Sequence, residues 1–217
     1  MLARLIPSAV AVMLAAVSCR EARPEPRMPE AVPSVRPPAP TSPAAAPDAR
    51  PARPPEIGEA LRRVLPDVQW TGGTAAATGD FNGDGSPDLA TVVQPADSAL
   101  PAINSDPANW ILQDPAHPTP PGRIPSPPPR VRVDKGDHLL VVIHGYGPPG
   151  WRSPEARQVY LIKVRSAEPL RARPHHAARA PVRPSNATEG DLLFEPSGRR
   201  FLYWDGAAYL WHGEAPR

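Results

Sequence analysis

Asp80, Asn82, Asp84, Ser86 and Asp88 fall at alternate positions of the run Gly79-Asp80-Phe81-Asn82-Gly83-Asp84-Gly85-Ser86-Pro87-Asp88-Leu89. The spacing is D-x-N-x-D-G-x-x-D. On a curled loop alternate residues turn inward, so Asp80, Asn82 and Asp84 can converge. Gly85 permits the sharp turn that lets the chain wrap an ion. The Ser86 carbonyl then faces inward, and Asp88 closes the shell from the start of the next strand. A hard cation suits this set, because Ca²⁺ takes about six to eight oxygens at about 2.3–2.6 Å in a flexible shell. The three carboxylates also repel one another, and a cation relieves that repulsion. The expected ligand is therefore Ca²⁺, held with the modest affinity of extracellular modules, about 10⁻⁴–10⁻³ M. The competing reading is a metal-free loop in which Asp and Asn cap their own backbone. An EF-hand is excluded, since its twelfth position needs Glu and here it is Thr91.

The segment resembles the calcium loops of the FG-GAP/VCBS type found in integrin-like β-propellers, with Phe81 ahead of the Asn-Gly-Asp-Gly core. The resemblance implies a loop between two strands with a bound Ca²⁺. A propeller needs repeated blades, and the loop has no second copy, so a full propeller is not expected. The C-terminal Phe201-Leu202-Tyr203-Trp204-Asp205-Gly206 resembles the close of exported bacterial proteins that pair one D-F-N-G-D-G loop with a terminal YWDG hairpin. That likeness implies no activity.

The elements that must position the loop are mostly strands. Leu89–Val93, the continuous apolar run Leu139–Ile143 and Val159–Val164 read as strands, the second buried on both faces. Ile57, Leu61, Val64 and Leu65 share one helical stripe that Pro66 ends, giving one short N-terminal helix. At the C-terminus, Asp191–Glu195, Arg200–Trp204 and Ala207–Trp211 predict a three-stranded antiparallel meander. Asp205-Gly206 there reads as a two-residue hairpin turn. The fold class is mainly β (α+β), a small antiparallel-sheet domain over residues 56–217. Pro-rich loops at 114–130 and 166–188 interrupt it. His175-His176, inside the second, reads as solvated rather than metal-ligating.

The chain ahead of residue 56 has a different composition. Of 217 residues 35 are Pro, far above the usual share of about 5%. Pro fixes φ and removes a donor, so one folded domain cannot hold them all. Residues 20–55 carry twelve of them. That stretch lacks apolar periodicity and reads as a disordered tether of polyproline II character. Before it, residues 1–18 read as a signal peptide, with an apolar stretch too short to span a membrane comfortably. Ala16-Val17-Ser18-Cys19 resembles a bacterial lipobox, with Ala16 where Leu is commonest. Cys19 is the chain's one cysteine, which excludes a disulfide framework. The resemblance implies that Cys19 is lipidated and anchors the chain to the bilayer. Arg20 follows where an inner-membrane retention signal would place Asp, so the outer membrane of a bacterial envelope is favoured.

Other chemistries are less well supported. Leu139–Gly147 reads LLVVIHGYG and resembles the oxyanion-loop segment of α/β-hydrolases, but no G-x-S-x-G nucleophile elbow accompanies it. The six His lack zinc-ligand spacing. Lys+Arg number 24 against 22 Asp+Glu, without a basic stripe, so nucleic acid is not an expected partner. Tyr203, Trp204, Tyr209 and Trp211 are candidates for a surface that meets a protein or glycan. The expected function is a membrane-anchored envelope lipoprotein carrying a Ca²⁺-stabilised binding or structural module without catalysis. The alternatives are a hydrolase built on the HGYG segment and a metal-free structural protein.

Overall fold

A computed structural model of the chain describes residues 47–48, 50–66, 68–105, 108–116, 130–175 and 187–213. Cys19, the signal peptide, most of the tether, His176 and most of the first Pro-rich loop lie outside these residues. The described part is mainly β, with two sheets, few short helices, and no closed barrel or propeller. Among the described residues no helix is long and apolar enough to cross a membrane.

Helix α1 (Pro54–Val64) opens with two prolines, whose fixed φ suits the first turn. Glu56 accepts the Arg53 N–H at 3.3 Å and the Arg53 guanidinium at 2.6 Å. Ile57, Leu61, Val64 and Leu65, the predicted stripe, are buried, and Ala60 is buried beside them.

The first sheet has the order β1-β2-β4-β5-β3. Its strands are β1 (Trp70–Gly79), β2 (Asp88–Pro95), β3 (Ile111–Gln113), β4 (His138–Ile143) and β5 (Val159–Val164). β3 runs parallel to β5, and the remaining pairs are antiparallel. Sequence reading finds neither β1 nor β3. β1 is rich in Gly, Ala and Thr, largely solvent-facing, and broken by a register shift between Gly72 and Ala76. A short helix, α2 (Leu100–Ile103), follows β2.

The second sheet has the order β6-β7-β8-β9, all antiparallel. Its strands are β6 (Arg171–Arg173), β7 (Leu192–Phe194), β8 (Phe201–Trp204) and β9 (Tyr209–His212). The predicted meander is thus present, with β6 added from within the stretch read as loop. Two arginines flanking Ala172 hide that strand from a hydrophobicity pattern. The hairpin turn also differs from expectation. Pairing closes at Trp204–Tyr209, so the loop is Asp205–Ala208 and not a two-residue turn. The Asp205 carboxylate accepts the N–H groups of Ala207 and Ala208 at 2.9 and 2.7 Å. A type I′ turn would need positive φ at both central residues, and only glycines here have it.

The layers follow from strand alternation. Leu89, Val93, Leu139, Val141, Ile143 and Leu161 face α1 and Trp151. Ala90, Val92, Leu140, Val142, Tyr160 and Ile162 face the second sheet through Leu193, Leu202, Trp204 and Tyr209. The first sheet's central strands are apolar on both faces because each face meets a packed layer.

Candidate functional site

The acidic run forms the loop between β1 and β2, the place expected for it. Its side chains turn onto the loop's own backbone. Asp80 Oδ1 accepts the Gly83 and Asp84 amides at 2.8 and 3.0 Å, and Oδ2 accepts Gly85 at 2.9 Å. Asn82 Oδ1 accepts Asp84 N–H at 3.1 Å, and Asn82 Nδ2 donates to Asp84 Oδ2 at 2.8 Å. Asp84 Oδ1 accepts Ser86 N–H at 2.7 Å. Gly85, at φ +85° with open space around it, makes the turn. Asp84 is exposed, Asp80 and Asn82 are half-buried, and Ser86 is buried.

Asp88 stands behind this arrangement with no exposed surface. Its Oδ2 accepts Phe81 and Asn82 N–H at 2.7 and 3.3 Å, and its Oδ1 accepts Gly145 N–H at 2.6 Å. Burial pushes its carboxyl up to about 8 against the pull of the Gly145 and Phe81 amides, with Asp84 and Asp80 adding to the rise. Among the described residues no Lys or Arg pairs with Asp80, Asp84 or Asp88.

Three neighbours grip the loop. His144 directly follows β4 and is buried. It bonds Tyr209 OH through Nε2 at 2.7 Å and meets Asn82 Nδ2 through Nδ1 at 3.4 Å. Burial lowers this imidazole to about 4. Tyr160, Trp204 and Tyr209 surround its ring. The segment before β7 supplies the second grip. Asp191 N–H donates to Asp80 O at 2.6 Å, Asp80 N–H donates to Asp191 Oδ2 at 3.1 Å, and Gly190 packs on the Phe81 carbonyl so closely that a Cβ would collide. The third is the turn after β4, where Trp151 N–H donates to Pro87 O at 2.7 Å. Sequence reading missed His144, Gly145 and Asp191 as supports of the loop. His144 lies 62 positions from Asn82, Gly145 57 from Asp88 and Asp191 111 from Asp80, and only the tertiary packing brings them in.

A hard cation is tested here by charge and by orientation. The donors are oxygens and the loop holds carboxylates with no described cationic partner, which fits. The carboxylates, however, are turned to backbone amides. Among the described residues no three His, Cys, Asp or Glu side chains converge as a ligand group. The Asp80, Asn82 and Asp84 side chains face the loop's own amides. Asp88 is taken up by three amides.

The other named residues are placed as follows. Tyr203, Trp204 and Tyr209 are buried and Trp211 is half-buried, so the hairpin aromatics belong mainly to the core and not to an exposed surface. Alternation put Trp204 and Tyr209 between the sheets and Tyr203 on the far face of the second sheet. Tyr146, 62% exposed, is the large aromatic that faces solvent. In the HGYG segment the Gly145 N–H donates to Asp88 and the Tyr146 N–H to Gly150 O, so both amides are engaged within the fold. His175 pairs with Glu189 at 3.1 Å and lies 3.9 Å from Asp191.

An FG-GAP repeat is found at residues 72–101, which spans most of β1, the acidic loop, β2 and the start of α2. No curated protein and no solved structure matches the chain. The repeat points to a β-rich interaction module.

Proposed function

We propose that the protein is an envelope interaction module whose β1–β2 loop takes a hard divalent cation, Ca²⁺ at millimolar supply, for stability rather than catalysis. One observation carries this reading. The acidic loop lies inside the matched FG-GAP repeat, and its Asp80 and Asp84 carboxylates have no cationic partner among the described residues. Asp80, Asn82, Asp84 and the Ser86 carbonyl would hold the ion. Asp88, buried against three amides, locks the loop from behind and keeps Phe81 in the core. The ion supplies charge neutralisation and stiffens the loop. Lipidation of Cys19 would hold the module at the bilayer on its Pro-rich tether, since acyl chains contribute about 0.8 kcal/mol per buried methylene.

Thermal melts of the chelator-treated full chain test the cation reading. Millimolar Ca²⁺ raises the melting temperature, and Asp84→Ala abolishes the rise. An unchanged melt of the parent protein defeats the reading. Cys19→Ala followed by membrane fractionation tests the anchor separately. A mutant as membrane-bound as the parent refutes lipidation.

A further inference from the structure

The approach to α1 is part of the folded domain. Asp48 N–H donates to Pro148 O at 2.8 Å. Arg50 holds the Asp48 carboxylate through Nε at 2.9 Å and Nη2 at 2.8 Å. Arg152 Nη2 donates to Arg50 O at 3.0 Å and to Pro51 O at 3.1 Å, and it reaches Glu56 Oε2 at 3.4 Å. The Arg152 side chain is 11% exposed, and its guanidinium lies 4.2 Å from the Trp151 ring centroid. The partners at Asp48, Arg50 and Pro51 belong to a segment whose composition reads as tether.

The same turn touches the acidic loop. Trp151 N–H bonds Pro87 O, and Gly145 N–H bonds Asp88. Gly145 and Gly150 both press against the Pro87 carbonyl, where a Cβ at either would collide. Residues 144–152 therefore stand in direct contact with the N-terminal segment and with the loop. The junction is also imperfectly satisfied. Arg152 Nε, Arg63 Nε and Trp151 Nε1 are buried without an acceptor among the described residues. Buried donors without a protein acceptor weaken a closed contact.

We propose that the segment carrying Asp48, Arg50 and Pro51 is a releasable strap, buckled by Arg152, whose closure holds the 144–152 turn on Pro87 and sets the rigidity of the acidic loop. A partner or a pull on the N-terminal segment would open the strap and loosen the loop. The coupling concerns the apo chain and goes beyond the cation reading, so it stands or falls without metal.

Hydrogen exchange on the full chain in chelator tests it, with Arg152→Ala and the milder pair Asp48→Ala/Arg50→Ala. In each variant the backbone amide at position 48 loses protection. The Phe81 and Gly145 amides exchange about tenfold faster, within the usual range of coupling between sites, while Val141 in β4 keeps its parental rate. A freed strap with unchanged Phe81 and Gly145 overturns the proposal. Equal acceleration at Val141 overturns it too, because the effect is then global. If Arg152→Ala does not fold, the double variant is read alone. Unchanged protection at position 48 in it shows that these contacts do not hold the strap, which also overturns the proposal.

Discussion

Two buried groups should give the apo protein an unusual pH profile. Burial raises Asp88 from 3.8 to about 8, so the folded protein holds this proton more tightly than the unfolded chain does. Its contribution is fully present at low pH and is lost as pH rises through about 8, at about 1.4 kcal/mol per unit. Burial lowers His144 from 6.5 to about 4, so here the unfolded chain binds the proton more tightly. That contribution is fully present above pH 6.5 and is lost as pH falls towards about 4, with the opposite slope. The two nearly cancel between about pH 4 and 6.5, leaving a change of about 0.5 kcal/mol. Above pH 6.5 Asp88 dominates, and stability falls by about 1 kcal/mol by pH 8. Asp88→Asn removes one slope and exposes the other. The variant should gain about 3 kcal/mol between pH 4 and 6.5 and stay flat to pH 8. It also carries a pH-independent loss of about 1–3 kcal/mol, because one amide among Phe81, Asn82 and Gly145 loses its acceptor. Urea unfolding in chelator, followed by tryptophan fluorescence, reads all of this. A variant that still declines above pH 6.5, or a parent protein that gains stability there, refutes the assignment.

Further predictions follow from the packing. Tyr209→Phe leaves His144 Nε2 without its 2.7 Å partner and should cost about 1–3 kcal/mol in denaturant unfolding. Gly85→Ala meets open space at φ +85° and should cost only the strain of about 1–2 kcal/mol. Gly150→Ala adds a collision with Pro87 at φ +60° and should cost more than Gly85→Ala in the same assay. With a dissociation constant of about 1 mM, 10 mM Ca²⁺ should add about 1.4 kcal/mol to the stability of the parent protein. It should add nothing to that of Asp84→Ala.

The legible parts of the fold were those where periodicity and burial agree. Leu139–Ile143 is apolar throughout because α1 covers one face of its sheet and β7–β9 the other. The Ile57-Leu61-Val64 stripe marked α1, and the spacing from Asp80 to Asp88 marked the loop. β1 and β6 escaped notice because Gly, Ala, Thr and Arg carry little of their packing in side-chain hydrophobicity. The direction of the loop's side chains was not legible either. Asp88 sits at a position suited to a ligand, yet its oxygens meet Gly145, Phe81 and Asn82, and the Gly145 contact depends on how the turn after β4 packs. The aromatics of Phe201–Trp211 were visible as a hairpin, but alternation alone did not say which faces would be covered.

Calorimetric titration of the chelator-treated full chain with Ca²⁺, beside Asp84→Ala, probes the cation reading at its source. The reading predicts one site of about 10⁻⁴–10⁻³ M in the parent and none in the variant. A parent chain that takes up no ion at ten millimolar, or a variant that binds equally well, would contradict it.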